Sequence, residues 1–192
     1  MAQSEKTLFG HPVGLFVLFS SELWERFSFY GMRGLLVLYM VKALQYDQEF
    51  AYGTYGAYLG FVYATPFIGG MLADRFLGYR RAILLGGTLM LFGHLAMAVE
   101  QKWFFYGAMA LLVAGNGFFK PNISALVGKL YEREDPRRDS AFTIFYMGIN
   151  IGAGLAPIVC GVLGERVGWH WGFSVAAIGM AIGLGVFWWG SQ

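Results

Sequence analysis

Six apolar stretches, each long enough to cross a hydrocarbon core of about 30 Å as a helix of roughly 20 residues, constrain this chain more than any other feature. They run approximately from Gly14 to Leu44, Phe50 to Ala73, Arg81 to Val99, Trp103 to Leu130, Ser140 to Leu163 and Trp171 to Trp189. Between them lie QYDQE, DRFLGYRR, EQK, YEREDPRRD and GERVGWH, all polar or turn-forming. With 57% of its 192 residues hydrophobic and 14% charged, the chain lies outside the balance of a soluble domain. The expected fold is an all-α membrane protein in which six transmembrane helices form one bundle. Residues 1–13 are a cytoplasmic N-terminal segment and residues 14–192 the bundle.

The same reading excludes several classes. The net charge of +2 is too small for a nucleic-acid binder, and the basic residues fall in short clusters at segment ends rather than along one face. One cysteine, Cys160, allows neither an intrachain disulfide nor a cysteine-built metal site, and its run APIVCGVL reads as packing. Lys6 precedes the first apolar run, but that run is too long and too charged for a cleaved signal and reads as a retained helix. No HExxH, GxSxG or P-loop is present, and GNGFFK and GAGLAP complete no nucleotide fingerprint, so the chain is read as no enzyme, with no cofactor.

Orientation follows from lysine and arginine. Lys6, Arg75, Arg80, Arg81, Lys129, Arg133, Arg137 and Arg138 fall on one side of the membrane, and only Lys42, Lys102 and Arg166 on the other. The positive-inside rule places both termini in the cytoplasm. Pro66, Pro121 and Pro157 lie inside the second, fourth and fifth stretches, where each removes a helical hydrogen bond and favours a kink.

Three basic residues, Arg26, Arg33 and Lys120, remain inside the apolar stretches, together with Glu22 and Glu25. In SELWERFSFYGMRG, positions 22, 26, 29 and 33 recur at helical spacing as one stripe, with Glu25 about 60° to the side. A lipid-facing charge costs a few kcal/mol or more, so this stripe must face the bundle interior or a water-filled cavity. Glu22 can pair with Arg26 within the helix, and Lys120 is a further cation on the fourth helix. Two acids against three bases leave a positive excess that suits a carboxylate ligand, and a glutamate among cations can exchange a proton as its partners change. Tyr30, Tyr58, Tyr63 and Asn150 add hydrogen-bonding groups, Asn150 as a buried amide between small residues. His94 reads as a structural histidine with its hydrogen bonds satisfied.

These motifs together resemble the proton-dependent oligopeptide transporter family of the major facilitator superfamily. Glu22, Glu25, Arg26 and Phe27 reproduce its ExxERF motif, followed by Tyr30 and Gly31; GGMLADRFLGYRRA, FFKPN and FYMGINIGAG match its loop, fourth-helix and fifth-helix signatures. The resemblance implies a proton-coupled symporter of di- and tripeptides in the bacterial inner membrane, working by alternating access. Glu22, Glu25, Arg26 and Lys120 would form the proton-coupling network, with protons as the coupling ion. Arg26, Tyr30, Arg33, Tyr63, Lys120 and Asn150 would bind peptide, and Asp74 and Arg75 would serve the cytoplasmic gate. Phe29 stands where many members carry a second tyrosine, which removes a hydroxyl from the cavity. Members have at least twelve helices, so this chain is expected to be the N-terminal part of a longer protein. Its partner would be a C-terminal six-helix half that binds the peptide amino group, or else a second bundle. The alternatives are a relative carrying nitrate or another anion, and a non-transporting six-helix scaffold.

Overall fold

The computed structural model describes residues 7–191; Lys6 and the rest of the extreme N-terminus lie outside the described residues. The described residues open with a small antiparallel hairpin, β1 (Thr7–Leu8) and β2 (His11–Pro12), with Thr7 paired to Pro12 and Leu8 to His11. Its two-residue turn, Phe9–Gly10, has φ of 50° and 81°. Two left-handed residues in succession match the twist of the flanking strands, and glycine supplies the second without strain.

Helices follow in sequence: α1 (Val13–Lys42), α2 (Gln48–Leu72), α3 (Tyr79–Met97), α4 (Lys102–Lys129), α5 (Arg138–Ala156), the short α6 (Val162–Arg166) and α7 (Trp169–Gly190). A π-helical turn at Ala73–Leu77 extends α2, and another at Pro157–Gly161 joins α5 to α6. Asp47 caps α2 by accepting a hydrogen bond from the Phe50 amide at 2.8 Å. Gly78, at φ 74°, turns the chain into α3.

The six long rods fall close to the expected stretches, but among the described residues length and hydropathy together qualify three as membrane spans: Gln48–Leu77, Arg138–Arg166 and Trp169–Gly190. The other three rods are α1, α3 and α4. Glu22, Glu25, Arg26 and Arg33 on α1, Arg80 and Arg81 on α3, and Lys102, Lys120 and Lys129 on α4 make these rods more polar.

The expected kinks divide. Pro157 begins a π turn, whereas Pro66 and Pro121 lie inside continuous α-helix. Pro121 deprives the Gly117 carbonyl of its helical donor, and that carbonyl faces Gly69 of α2, where any Cβ would collide with it.

α1 packs along α5 and α7, α4 along α2 and α3, and α3 also along α7. An aromatic cluster fixes the ends of α1, α4 and α7: Tyr39 meets Phe173 edge-on at 5.2 Å and lies 6.0 Å from both Phe105 and Trp169. Cys160 is fully buried and closes on Gly31 of α1, consistent with its reading as packing. α3 and α4 meet through glycines: a Cβ placed on Gly86 or Gly115 would lie 2.6 Å from the other's carbonyl oxygen. Gly115→Val is therefore expected to destabilise the bundle by about 1–3 kcal/mol or more, read as a lower melting temperature in detergent.

The hairpin is pinned beneath the bundle. Arg137 donates to the Gly10 carbonyl at 2.8 Å, and His11 hydrogen-bonds the Tyr131 hydroxyl at 2.8 Å. The Arg137 guanidinium also pairs with Asp135 at 2.7 Å, which holds the Asp135 carboxyl down to about 2. A depressed carboxylate pKa contributes fully above the ordinary value of 3.8 and is lost as pH falls through about 2. Protection factors of the hairpin amides are accordingly expected to hold from neutral pH to about 4 and to drop only near 2.

Candidate functional site

α1 carries the charged stripe into the bundle because α5 and α7 cover its flanks through small residues. Gly148 and Gly152 of α5 pack against Phe19 and Phe27, and Gly179 and Gly183 of α7 against Phe27 and Trp24. Ridge-free faces let the backbones close, so the side chains at 22, 25 and 26 are sealed from lipid. Glu22 and Glu25 are fully buried and Arg26 is 6% exposed.

Burial of this kind requires that each charge have a counter-charge, since an unpaired charge in a low-dielectric interior costs several kcal/mol; Glu22 Oε2 nevertheless has no hydrogen-bond partner among the described residues. Arg26 meets the requirement by donating from two guanidinium nitrogens to the two oxygens of Glu25. Its Nε also lies 3.4 Å from Glu22 Oε1. Lys120 of α4 donates to that same Glu22 oxygen, which joins α1 to α4 across the gap between them. Arg26 and Lys120 thus share one oxygen of the Glu22 carboxylate. The Lys120 side chain is 30% exposed, and it is the one member of this quartet open to a ligand.

Phe29 is buried under Arg26, whose guanidinium sits 4.9 Å from the ring centre. The aromatic at this position therefore acts as a floor for the cation. Its ring meets Tyr30 edge-on at 5.4 Å.

One helical stage further along α1, Arg33 donates to the Tyr55 hydroxyl of α2 at 2.6 Å. Its guanidinium lies 5.6 Å from the Tyr30 ring centre and 5.7 Å from that of Tyr55. Tyr63, about two turns beyond Tyr55 on α2, is 76% exposed. Tyr55 is a site residue that the sequence reading did not single out, although Tyr52, Tyr55 and Tyr58 recur every three residues on α2.

Four expectations need correction or placement. Asn150 is exposed rather than buried, and its amide donates to the Tyr146 carbonyl of its own helix at 3.0 Å. His94 is fully buried, but neither ring nitrogen has a hydrogen-bond partner among the described residues, so it is not the satisfied histidine expected. Asp74 accepts from the Tyr79 hydroxyl at 2.6 Å, and the Lys129 ammonium lies 3.9 Å from the Tyr79 ring centre. That chain ties the end of α2 to α3 and α4. Arg75 is exposed, and neither it nor Asp74 forms an ion pair among the described residues.

The arrangement is a buried acid–base cluster with one accessible ammonium, next to a partly exposed guanidinium held among tyrosines. It can receive a carboxylate and redistribute cations between two glutamates.

Comparison with known proteins places this geometry. The family model described as the POT family matches residues 80–192. The chain is 48% identical over 189 residues to an uncharacterized transporter, YclF, of Bacillus subtilis (strain 168), covering 95% of this chain and 38% of the relative. It is 44% identical over 196 residues to a di-/tripeptide transporter of Lactococcus lactis subsp. lactis (strain IL1403), covering 98% of this chain and 39% of that protein. Among solved structures, a peptide transporter POT in complex with sulfate superposes with a TM-score of 0.92 at 47% identity, covering 95% of this chain and 38% of the other. A POT family transporter in complex with 5-aminolevulinic acid gives a TM-score of 0.92 at 40% identity, covering 96% and 39%. The chain therefore spans well under half the length of the relatives it matches.

Proposed function

The chain belongs to the POT family, and from that premise we propose that it is the N-terminal part of a proton-coupled symporter of di- and tripeptides that works by alternating access. The observation that carries this reading is the Lys120–Glu22 pair, an accessible ammonium on a buried carboxylate that already has a second cation, Arg26, at 3.4 Å.

The chemistry follows from competition for Lys120. An incoming peptide carboxylate offers the ammonium a new partner, and Arg33, further along α1 among the tyrosines, offers a second cation. When Lys120 turns to the peptide, Glu22 retains only Arg26, which Glu25 also holds. Two carboxylates against one guanidinium favour uptake of a proton. Peptide and proton thus become mutually dependent, the requirement for coupled transport. Tyr30 and Tyr63 line the approach to Arg33, and Asn150 presents its amide on the exposed face of α5. In this reading Asp74 and Arg75 belong to the cytoplasmic gate.

All six long helices cross a bacterial inner membrane with both termini cytoplasmic, the charged faces of α1 and α4 being turned inward. A C-terminal bundle supplies the acid that receives the peptide amine, because the excess positive charge here suits only the carboxylate end. That same excess favours a second reading, transport of an inorganic anion such as nitrate. Uptake of a labelled dipeptide into proteoliposomes of a full-length transporter carrying this chain, under an inward proton gradient, tests both. Gradient-dependent uptake that nitrate does not inhibit is the expected result; nitrate inhibition with no dipeptide uptake would favour the second reading.

A further inference from the structure

Tyr58 of α2 is 2% exposed, and its hydroxyl has no hydrogen-bond partner among the described residues. A buried hydroxyl forgoes its hydration for nothing unless a partner reaches it in some state of the protein. The ring lines a groove of about 460 Å³ between α2 and α4, beside Thr54, Phe61, Met109 and Val113. The charged groups that act on the hydroxyl are Glu25, Arg26 and Arg33 of α1, with Tyr55 of its own helix beside them.

In the present arrangement Arg26 donates to both oxygens of Glu25, and the Tyr58 hydroxyl donates to neither. Arg26 also stands 3.4 Å from Glu22, whose other cation is Lys120. Once Lys120 leaves, Coulomb attraction draws Arg26 toward Glu22, and an oxygen of Glu25 loses its donor. We infer that Tyr58 is a positioning residue for Glu25: its hydroxyl donates to the oxygen that Arg26 releases, so the fully buried carboxylate stays hydrogen-bonded through the exchange. The hydroxyl is idle in one state and engaged in the other. This inference rests on the proton-coupling role proposed above for Glu22, Glu25, Arg26 and Lys120.

The test compares two transport modes in proteoliposomes of a full-length transporter carrying this chain: gradient-driven dipeptide uptake, and dipeptide counterflow without a gradient. Tyr58→Phe keeps the ring and therefore the groove wall. It is expected to lower gradient-driven uptake about tenfold while counterflow stays within about twofold and the melting temperature is unchanged. Equal loss in both modes, or no loss in either, overturns the role of Tyr58. Glu25→Gln in the same assay separates the two claims. If it leaves gradient-driven uptake intact, the coupling network itself is wrong; if it abolishes that uptake while Tyr58→Phe does not change it, only the inference about Tyr58 fails.

Discussion

Replacing Lys120 by alanine is expected to abolish proton-driven dipeptide uptake. The ammonium is the member of the buried quartet that a ligand can reach, and it is the cation joining α4 to α1. Removing one partner of a desolvated, hydrogen-bonded charge pair costs about 2–5 kcal/mol, which corresponds to a loss of about 30-fold or more in rate or affinity. Glu22 then keeps only Arg26 whether or not peptide is present, so proton uptake by the Glu22–Glu25 pair no longer depends on peptide, and coupling is lost along with binding. Initial rates at a fixed inward proton gradient, with melting temperature as the control for folding, give the answer. Unchanged uptake would remove Lys120 from the mechanism.

The second large effect concerns stability. Arg26→Ala leaves Glu22 and Glu25, both fully buried, with Lys120 as the sole cation of the quartet. Breaking a buried pair in this way costs about 3–5 kcal/mol because it strands a charge, and the melting temperature is expected to fall by roughly 10 °C. The Lys42–Glu165 pair provides the contrast. Its members stand 3.4 Å apart with side chains 55% and 47% exposed, so solvent screens them and Lys42→Ala should cost less than about 1 kcal/mol. Comparable losses in the two variants would mean that Arg26 is better solvated than its burial indicates.

The parts of this site that lie along one helix were legible in the sequence. The spacing of Glu22, Arg26, Phe29 and Arg33 follows from the pitch of α1 alone, and the cost of charge in lipid turns the stripe inward. Lys120 was legible as the missing cation because few ionisable residues stand inside the apolar runs. Contacts between helices were harder to read, since they depend on which faces meet. Arg33 takes Tyr55 rather than a carboxylate because α2 presents a tyrosine ladder there. Asn150 illustrates the same limit. Gly148 and Gly152 are the residues of α5 that press on α1, and a residue midway between them is rotated about 200° from each, so Asn150 faces away from the contact. His94 was misjudged because burial was legible while its partners were not. The hairpin at Thr7–Pro12 escaped notice because its turn, Phe9–Gly10, carries phenylalanine where asparagine or aspartate would have announced it.

The central claim is that this chain supplies the carboxylate end of a peptide site through Lys120 and Arg33. The most direct measurement compares a free dipeptide with its C-terminal amide as competitors of labelled dipeptide uptake in proteoliposomes of a full-length transporter carrying the chain. The account predicts that the amide, with no carboxylate to draw Lys120 from Glu22, competes at least about tenfold less well. Equal competition by the amide would contradict it.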